Sequence, residues 1–179
     1  MRIIGGEWRG RRLTPLRGRQ VRPTSDRVRE AWMSAMGGHF AGWVILDLFA
    51  GSGALGLECL SRGAAHVTFV DQAHSSLSVL RRNLTLVGAA GERATVIQAE
   101  VFSWLERSSR LQGATPDAAL ADPPYGHGLA GRLVERFVDD PFAKALWVEH
   151  ATGEAIPEAP GSRQRRYGDS TLTYIPAAA

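Results

Sequence analysis

The sequence predicts a doubly wound α/β sheet, in which parallel strands alternate with helices that cover both faces. Two observations predict this fold. From residue 43 onward, short apolar runs alternate with stretches whose apolar residues recur every three or four positions, the period of a helix. The apolar runs contain almost no polar residues, as expected for parallel strands that are buried on both faces. Strands and helices that alternate in this way build an α/β sheet.

Five parallel strands and two clear helices make up the centre of the predicted sheet. Apolar periodicity predicts one helix over residues 77–87, ended by Gly88, and another over residues 129–137, ended before Pro141. The predicted strands cover residues 44–49, 67–70, 94–97, 118–121 and 145–148. Each helix therefore lies between two strands, as a parallel crossover requires.

Both ends of the chain depart from this alternation. Residues 2–13 are β-prone pieces around glycines, which predicts a small arginine-studded hairpin. A helix follows, with Thr24 or Ser25 as its cap. Its predicted apolar stripe consists of Val28, Ala31, Trp32, Ala35 and Met36. At the other end, residues 164–167 and 171–175 are joined through Gly168, which predicts an antiparallel hairpin at the sheet edge.

The length of 179 residues suits a single compact domain. Within it we expect residues 1–38 to form a basic extension packed on a core of residues 39–179. Residues 1–30 carry a net charge of +6 and the remaining residues −3, and an arginine-rich segment favours a phosphate-bearing partner. No apolar run approaches the roughly 18 residues of a membrane span, and no signal segment is apparent. We therefore expect a cytoplasmic protein without a membrane partner.

A glycine-rich loop, Gly51-Ser52-Gly53, follows the first predicted strand and opens a helix. Glycines there let the backbone approach a ligand, and Asp71 has the spacing of an acid that binds ribose hydroxyls. The pattern predicts an adenosine-containing cofactor and leaves a nicotinamide dinucleotide open. Asp47 favours S-adenosylmethionine, because its charge would face an ammonium or sulfonium group but would repel a pyrophosphate.

A second acid, Glu100, follows the third predicted strand. We expect it to accept a hydrogen bond from the adenine amino group, with Val101 against the ring. The histidines lack metal-ligand spacing, so we expect no metal. The full set of expected cofactor contacts is Asp47, Phe49, Ala50, Gly51, Gly53, Asp71, Glu100 and Val101.

Asp122-Pro123-Pro124-Tyr125 follows the fourth predicted strand, at the sheet edge where open α/β folds bind ligands. A conjugated base amine must be rehybridised before it attacks a methyl carbon. The Asp122 carboxylate and the Pro123 carbonyl can each accept one amine hydrogen, and Tyr125 offers a face for a flipped-out base. We predict that all four residues, including Pro124, form the catalytic motif of a base-amine methyltransferase.

At this point the sequence resembles a known family, the RsmD-type 16S rRNA guanine-N2 methyltransferases of bacteria. The resemblance covers nearly the whole chain. One departure is Met33-Ser34, where the family usually has a Phe-Asn pair. The most specific segments are Arg2-Ile3-Ile4-Gly5-Gly6, Arg9-Gly10-Arg11, Arg22-Pro23-Thr24, residues 26–30, residues 47–62 and residues 122–125.

The resemblance implies a seven-stranded class I methyltransferase sheet and a guanine in 16S rRNA of the small ribosomal subunit, or of its assembly intermediate, as substrate. It also implies that S-adenosylmethionine is converted to S-adenosylhomocysteine without a metal. We expect a monomer whose amino-terminal extension contacts RNA. The expected RNA contacts are Arg9, Arg11, Arg22, Thr24 and Arg27.

Three other functions stay open at the level of the sequence. A DNA or RNA adenine-N6 methyltransferase can use a similar Asp-Pro-Pro-Tyr motif, although the chain has no room for a separate DNA-recognition domain. A nicotinamide-dependent oxidoreductase would satisfy the glycine pattern. A non-catalytic ribosome assembly factor would use the basic extension alone, and it would tolerate the loss of Asp122.

Overall fold

The computed structural model describes residues 1–16, 26–108 and 115–178. The strands are β1 (Val44–Leu48), β2 (His66–Asp71), β3 (Ala94–Gln98), β4 (Ala118–Ala121), β5 (Ala145–Ala151), β6 (Arg163–Tyr167) and β7 (Ser170–Pro176). The helices are α1 (Asp26–Ala35), α2 (Ala54–Ser61), α3 (His74–Val87), α4 (Val101–Ser108) and α5 (Leu129–Asp139). Within the described ranges, none of the helices combines the length and apolar character that a membrane span needs.

One seven-stranded sheet has the strand order β3-β2-β1-β4-β5-β7-β6. The first five strands are parallel, and β7 and β6 close the edge as an antiparallel hairpin. The chain builds outward from β1 to β3 and then restarts at β4 on the other side of β1. This reversal between β1 and β4 is the switch point at which open α/β sheets bind ligands. The predicted fold class and the terminal hairpin are confirmed.

Two apolar clusters lie on opposite faces of the sheet, because successive strand residues point to opposite sides. In β1, Ile45 packs into the cluster that contains α1, α2 and α3 residues. Its neighbours Leu46 and Leu48 pack into the cluster that contains α4 and α5 residues. The strands are therefore covered on both faces, which explains why their sequences lack polar alternation.

The start of α2 requires two glycines for reasons of packing. Gly53 caps the helix with a φ of 79°, and a Cβ atom there would lie 2.2 Å from the Cδ1 atom of Leu80. At Gly56 a Cβ atom would lie 2.3 Å from the ring of Phe69. These contacts bring α2 close to β2 and α3. Both glycines therefore serve helix packing.

The amino-terminal segment is not a regular hairpin. A single antiparallel bridge joins Arg2 to Arg12, and the residues between them form turns. The segment is held mainly by the core, where Ile3, Trp8 and Leu13 are buried in the same cluster as α1 and α2. The predicted hairpin is therefore present only as this short pairing, in which Ile3 N–H donates to the Arg11 carbonyl at 2.9 Å and Leu13 N–H to the Met1 carbonyl at 3.2 Å.

Helix α1 confirms the predicted helix, and Trp32 and Met36 of the predicted stripe are buried, but Ala35 is replaced in the stripe by Met33. Ala35 is exposed, whereas Met33 is fully buried, with its sulfur 3.9 Å from that of Cys59. The proposed caps, Thr24 and Ser25, lie outside the described residues. Met33 belongs to the departure from the family pattern, and its burial assigns that position to core packing.

A buried charge cluster ties this segment to α2. Glu58, which is fully buried, accepts hydrogen bonds from the backbone N–H groups of Ile4 and Gly5 at 2.9 and 2.8 Å. It also accepts from Nε of Arg62 at 2.9 Å and lies 3.8 Å from Nε of Arg29. A carboxylate buried among so many donors is well compensated. The first residues of the chain are thereby joined to a helix that follows more than 50 positions later.

Candidate active site

A cavity of about 1150 Å³ opens at the carboxyl ends of the parallel strands. This exceeds the roughly 300–1,000 Å³ of a typical ligand pocket, which leaves room for a second ligand beside a cofactor. Each parallel strand contributes one acid to its wall, at or just after the strand end. These acids are Asp47, Asp71, Glu100, Asp122 and Glu149.

Asp47 is the most buried member of the predicted cofactor site. Only 1% of it is exposed, and its Oδ2 atom accepts a hydrogen bond from the N–H group of Gly56 at 2.9 Å. Burial raises the pKa of Asp47 well above its usual range, the Gly56 bond opposes this rise, and the nearby charges of Asp122 and Asp71 add to it. A cationic ligand would relieve this accumulation of negative charge.

Asp71 holds the glycine loop in place. Its Oδ2 atom accepts from the N–H group of Gly51 at 2.9 Å, and its Oδ1 atom accepts from that of Ala73 at 2.8 Å. Each carboxylate oxygen has two lone pairs, so both can still accept a ribose hydroxyl. Phe49 has a φ of 60°, a conformation that non-glycine residues rarely adopt and that concentrates at functional sites.

The loop divides into residues that line the cavity and residues that support it. Phe49, Ala50 and Gly51 line the cavity, as predicted for cofactor contacts. Gly53 does not line it, and its place in the sequence is explained by the close contact with Leu80. Cofactor contacts through all four residues stay a prediction, and of the four only Gly53 lies outside the cavity lining.

Glu100 lines the cavity and also caps α4. Its carboxylate accepts hydrogen bonds from the N–H groups of Phe102 and Ser103 at 3.1 and 2.8 Å. Partial burial raises the pKa of Glu100, but the hydrogen bonds from Ser103 and Phe102 lower it further, so it ends below its usual value. Glu100 thus stays ionised and can accept from an amino group, while Val101 lies beside it in the wall.

All four residues of the Asp-Pro-Pro-Tyr motif line the cavity, after the strand that neighbours β1. Tyr125 is held at its hydroxyl, which donates to Oε1 of Glu149 at 2.9 Å and lies 2.8 Å from Oγ of Ser170. Burial and the charge of Glu149 raise the pKa of Tyr125 well above its usual range, against the lowering effect of the Ser170 bond. Tyr125 therefore remains a neutral hydrogen-bond donor with a fixed ring.

Sequence reasoning missed Glu149 and Ser170 as wall residues. Glu149 had a signal, since a polar residue at the carboxyl end of an apolar parallel strand lies at the ligand-binding edge. The sheet edge also adds Arg166 and Tyr167 of β6 to the wall, and these were missed with it. Ser170 had no such signal, because β7 is antiparallel and reaches the cavity only through its pairing with β5.

The predicted RNA contacts divide between two ends of the molecule. Arg27 lines the cavity, whereas Arg22 and Thr24 lie outside the described residues. Arg9 lies in a turn whose neighbours Glu7 and Trp8 contact Ser61, at the carboxyl end of α2. This is the sheet edge opposite the cavity. Arg11 is exposed on the same segment.

Comparisons with known proteins show the family to which the chain belongs. A family model described as conserved hypothetical protein 95 matches residues 1–175. Ribosomal RNA small subunit methyltransferase D of Escherichia coli (strain K12) is 33% identical over 165 residues, which cover 90% of this chain and 80% of that protein. The solved structure of yhhF from Escherichia coli has a TM-score of 0.82 at 32% identity and covers 100% of this chain and 99% of that chain.

The SAM-dependent methyltransferase from Agrobacterium tumefaciens shares the fold, with a TM-score of 0.64 at 18% identity, over 93% of this chain and 66% of that chain. The glycine motif alone left a nicotinamide dinucleotide open, but the relatives with 32–33% identity are methyltransferases, whose reaction needs a methyl donor. The chain belongs to the family described as conserved hypothetical protein 95, that of the RsmD-type ribosomal RNA methyltransferases, and it is an S-adenosylmethionine-dependent methyltransferase.

Proposed function

We propose that the chain transfers a methyl group to the exocyclic N2 amine of a guanine in 16S rRNA, within the small ribosomal subunit or its assembly intermediate. The observation that carries this proposal is the position of Asp122, Pro123 and Tyr125 in one wall of the cavity at the β1/β4 switch point. The 33% identity to ribosomal RNA small subunit methyltransferase D supports the choice of RNA.

Three acids that line the cavity, Asp47, Asp71 and Glu100, fit S-adenosylmethionine. This cofactor supplies an electrophilic methyl group on a positively charged sulfur. The buried carboxylate of Asp47, crowded by two further acids, suits a cationic ligand. Asp71 has lone pairs left for ribose hydroxyls, and Glu100 for an adenine amino group.

Asp122 and Pro123 activate the acceptor amine in this scheme. Their carboxylate and carbonyl oxygens each accept one amine hydrogen, which draws the nitrogen lone pair out of the ring and aims it at the methyl carbon. The stiff Pro-Pro backbone keeps both oxygens in place. Once the nitrogen is methylated its proton is acidic, and it passes to Asp122 and from there to water.

Tyr125 supplies the surface against which the base stacks. Hydrogen bonds at the hydroxyl fix the ring, so little entropy is lost when a base packs on it. Stacking of this kind is worth about 1–3 kcal/mol. A base in a folded RNA would have to be flipped out to reach this wall.

The RNA strand around that base needs a positively charged surface. We propose that Arg9, Arg11 and Arg27, together with Arg22 and Thr24, contact phosphates, as the basic extension of residues 1–38 predicts. Edge strand β6 adds a second set beside the cavity. Its exposed arginines are Arg163, Arg165 and Arg166.

The test is methylation of small-subunit particles from cells that lack the enzyme, with the product base identified by mass spectrometry. We expect N2-methylguanine. The Asp122→Ala variant should lose about 100- to 1,000-fold in kcat while its KM for S-adenosylmethionine changes little, because Asp122 acts on the amine. N6-methyladenine as the product would contradict the guanine assignment, and an unaffected kcat would contradict the role of Asp122.

A further inference from the structure

Glu149 carries a buried oxygen without a partner. The residue is 4% exposed and lines the cavity. One carboxylate oxygen, Oε1, accepts the hydroxyl hydrogen of Tyr125, whereas Oε2 has no hydrogen-bond partner among the described residues. Buried acceptors are nearly always paired, because an unpaired one forfeits its hydration. An orphan acceptor in a ligand cavity indicates that a ligand supplies the missing donor.

The sheet register puts this oxygen close to the catalytic motif. In the parallel pairing of β4 with β5, Ala121 lies opposite Val148. Asp122 and Glu149 are the residues that follow this last pair, and both line the cavity. A base whose amine is bound by Asp122 can therefore place a ring atom next to the amine-bearing carbon toward Glu149.

The chemistry of that ring position distinguishes the bases. In guanine the carbon that carries the N2 amine lies between two ring nitrogens, N1, which carries a hydrogen and donates, and N3, which accepts. In adenine and cytosine the ring nitrogen next to the exocyclic amine is an acceptor with a lone pair. A carboxylate only accepts hydrogen bonds, so it pairs with N1–H of guanine and repels the ring-nitrogen lone pair of adenine or cytosine.

We infer that Oε2 of Glu149 accepts the N1–H of the substrate guanine and thereby selects guanine over adenine and cytosine. This inference rests on the proposed function and names a specificity-determining residue within the same site. The bond from Tyr125 to Oε1 fixes the plane of the carboxylate, so the stacking residue and the selecting residue are positioned together. Glu149 takes part only in recognition of the base, and no covalent bond to it forms or breaks.

The test replaces the target guanine by 2-aminopurine, which keeps the N2 amine but has an acceptor at N1. Both bases are placed in a synthetic 16S rRNA fragment, at the nucleotide that mass spectrometry identifies as methylated, and the fragment is assembled into small-subunit particles. For the wild-type enzyme we expect kcat/KM to be on the order of 100-fold lower with 2-aminopurine, since a site built for a donor rejects its absence.

The Glu149→Gln variant should narrow this gap to about 10-fold or less, because its amide can donate to N1 of 2-aminopurine and still accept from Tyr125. The ratio of the two substrates is measured within one enzyme preparation, so it does not depend on the fraction of folded protein. Ser170→Ala is the matched control. It removes the other contact of the Tyr125 hydroxyl and should lower both rates while keeping the ratio at its wild-type value.

Equal rates of the wild-type enzyme on the two bases would overturn the role of Glu149 and leave guanine methylation intact. A Glu149→Gln ratio equal to that of the wild type would also overturn it, and would reduce Glu149 to a support for Tyr125. Methylation of an adenine by the wild-type enzyme would overturn the proposed function and this inference together.

Discussion

Asp47 shows how a single residue can serve the site at a cost to the fold. Its carboxylate is buried, accepts one backbone hydrogen bond, and faces the charges of two other acids. Nothing in the packing of β1 requires a charge there. Under the proposed function a cationic cofactor would offset this charge, so stability and cofactor binding should respond to Asp47 in opposite directions.

The Asp47→Asn variant tests this opposition. The folded-state pKa of Asp47 is raised, so its contribution to stability is fully present below about pH 4, the pKa of an unfolded Asp, and is lost as the pH rises through the folded value. Without cofactor, the variant should therefore gain stability relative to the wild type from pH 4 to pH 8, measured by chemical denaturation. Asn still accepts from Gly56.

The same variant should bind S-adenosylmethionine about 10-fold more weakly, which corresponds to ~1.4 kcal/mol. Isothermal titration calorimetry at pH 7 measures this. Unchanged affinity would show that Asp47 serves the glycine loop alone, and a stability difference that does not vary with pH would contradict the raised pKa.

The sequence predicts a site residue when that residue lies at the end of a parallel strand. Asp47 and Asp71 lie near or at the carboxyl end of an apolar strand and Asp122 directly follows one, and the parallel sheet brings such positions to one edge. Ser170 could not be found this way, because its contact with Tyr125 depends on how β7 pairs with β5. Pairing between strands distant in sequence leaves no local pattern.

At the scale of elements, the start of α2 combines two demands on one glycine. Gly53 has a positive φ, and its missing side chain also leaves space for Leu80 of α3. Gly88, which ends α3, has a similar φ of 74° but no atom within 4 Å of a Cβ position. A comparison of alanine variants at the two glycines therefore separates the cost of a left-handed backbone from the cost of a steric collision.

We expect Gly88→Ala to lower the free energy of unfolding by about 1–2 kcal/mol, the cost of a left-handed residue with a side chain. Gly53→Ala should cost about 1–3 kcal/mol more, because its methyl group collides with Leu80. Urea denaturation of both variants measures the difference. Equal losses would contradict the packing role of Gly53.

The parallel strands could be predicted because each carries its own burial pattern, and the strand over Ala118–Ala121 matches the prediction in both bounds. The turns of the amino-terminal segment could not be predicted in this way. Its conformation depends on Glu58, Ser61 and Asn83, which accept hydrogen bonds from backbone N–H groups of the segment. A local sequence pattern cannot report acceptors that lie on distant helices.

At the scale of the whole molecule, the basic surface has two parts. The turn that holds Arg9 lies at the amino edge of the strands, whereas Arg166 of β6 lines the cavity at the carboxyl edge. An RNA that touches both parts has to extend around the enzyme. A contact area of this size suits a folded RNA better than a short single strand.

Alanine variants of each part test this surface. Replacing Arg163, Arg165 and Arg166 should weaken binding to a 16S rRNA fragment and reduce the slope of log Kd against log salt by roughly two to three. Replacing Arg9 and Arg11 should reduce it by about one to two.

The matched control replaces Arg81 and Arg82, exposed arginines on α3 that do not line the cavity. It should leave the salt slope near the wild-type value. An effect confined to the β6 variant would contradict the amino-terminal contacts. An equal change of salt slope in all three variants would show that net charge alone determines the slope.

The hydrogen bond between Tyr125 and Ser170 has a consequence for biosynthesis. Met1 and Ser170 line the same cavity, so its wall draws on the amino-terminal segment and on the last strand of the described chain. During translation the chain emerges from its amino terminus, and domains fold as units. Tyr125 gains its second partner only after β7 has left the ribosome. The cavity wall around Tyr125 is therefore complete only after the chain has been synthesised through β7.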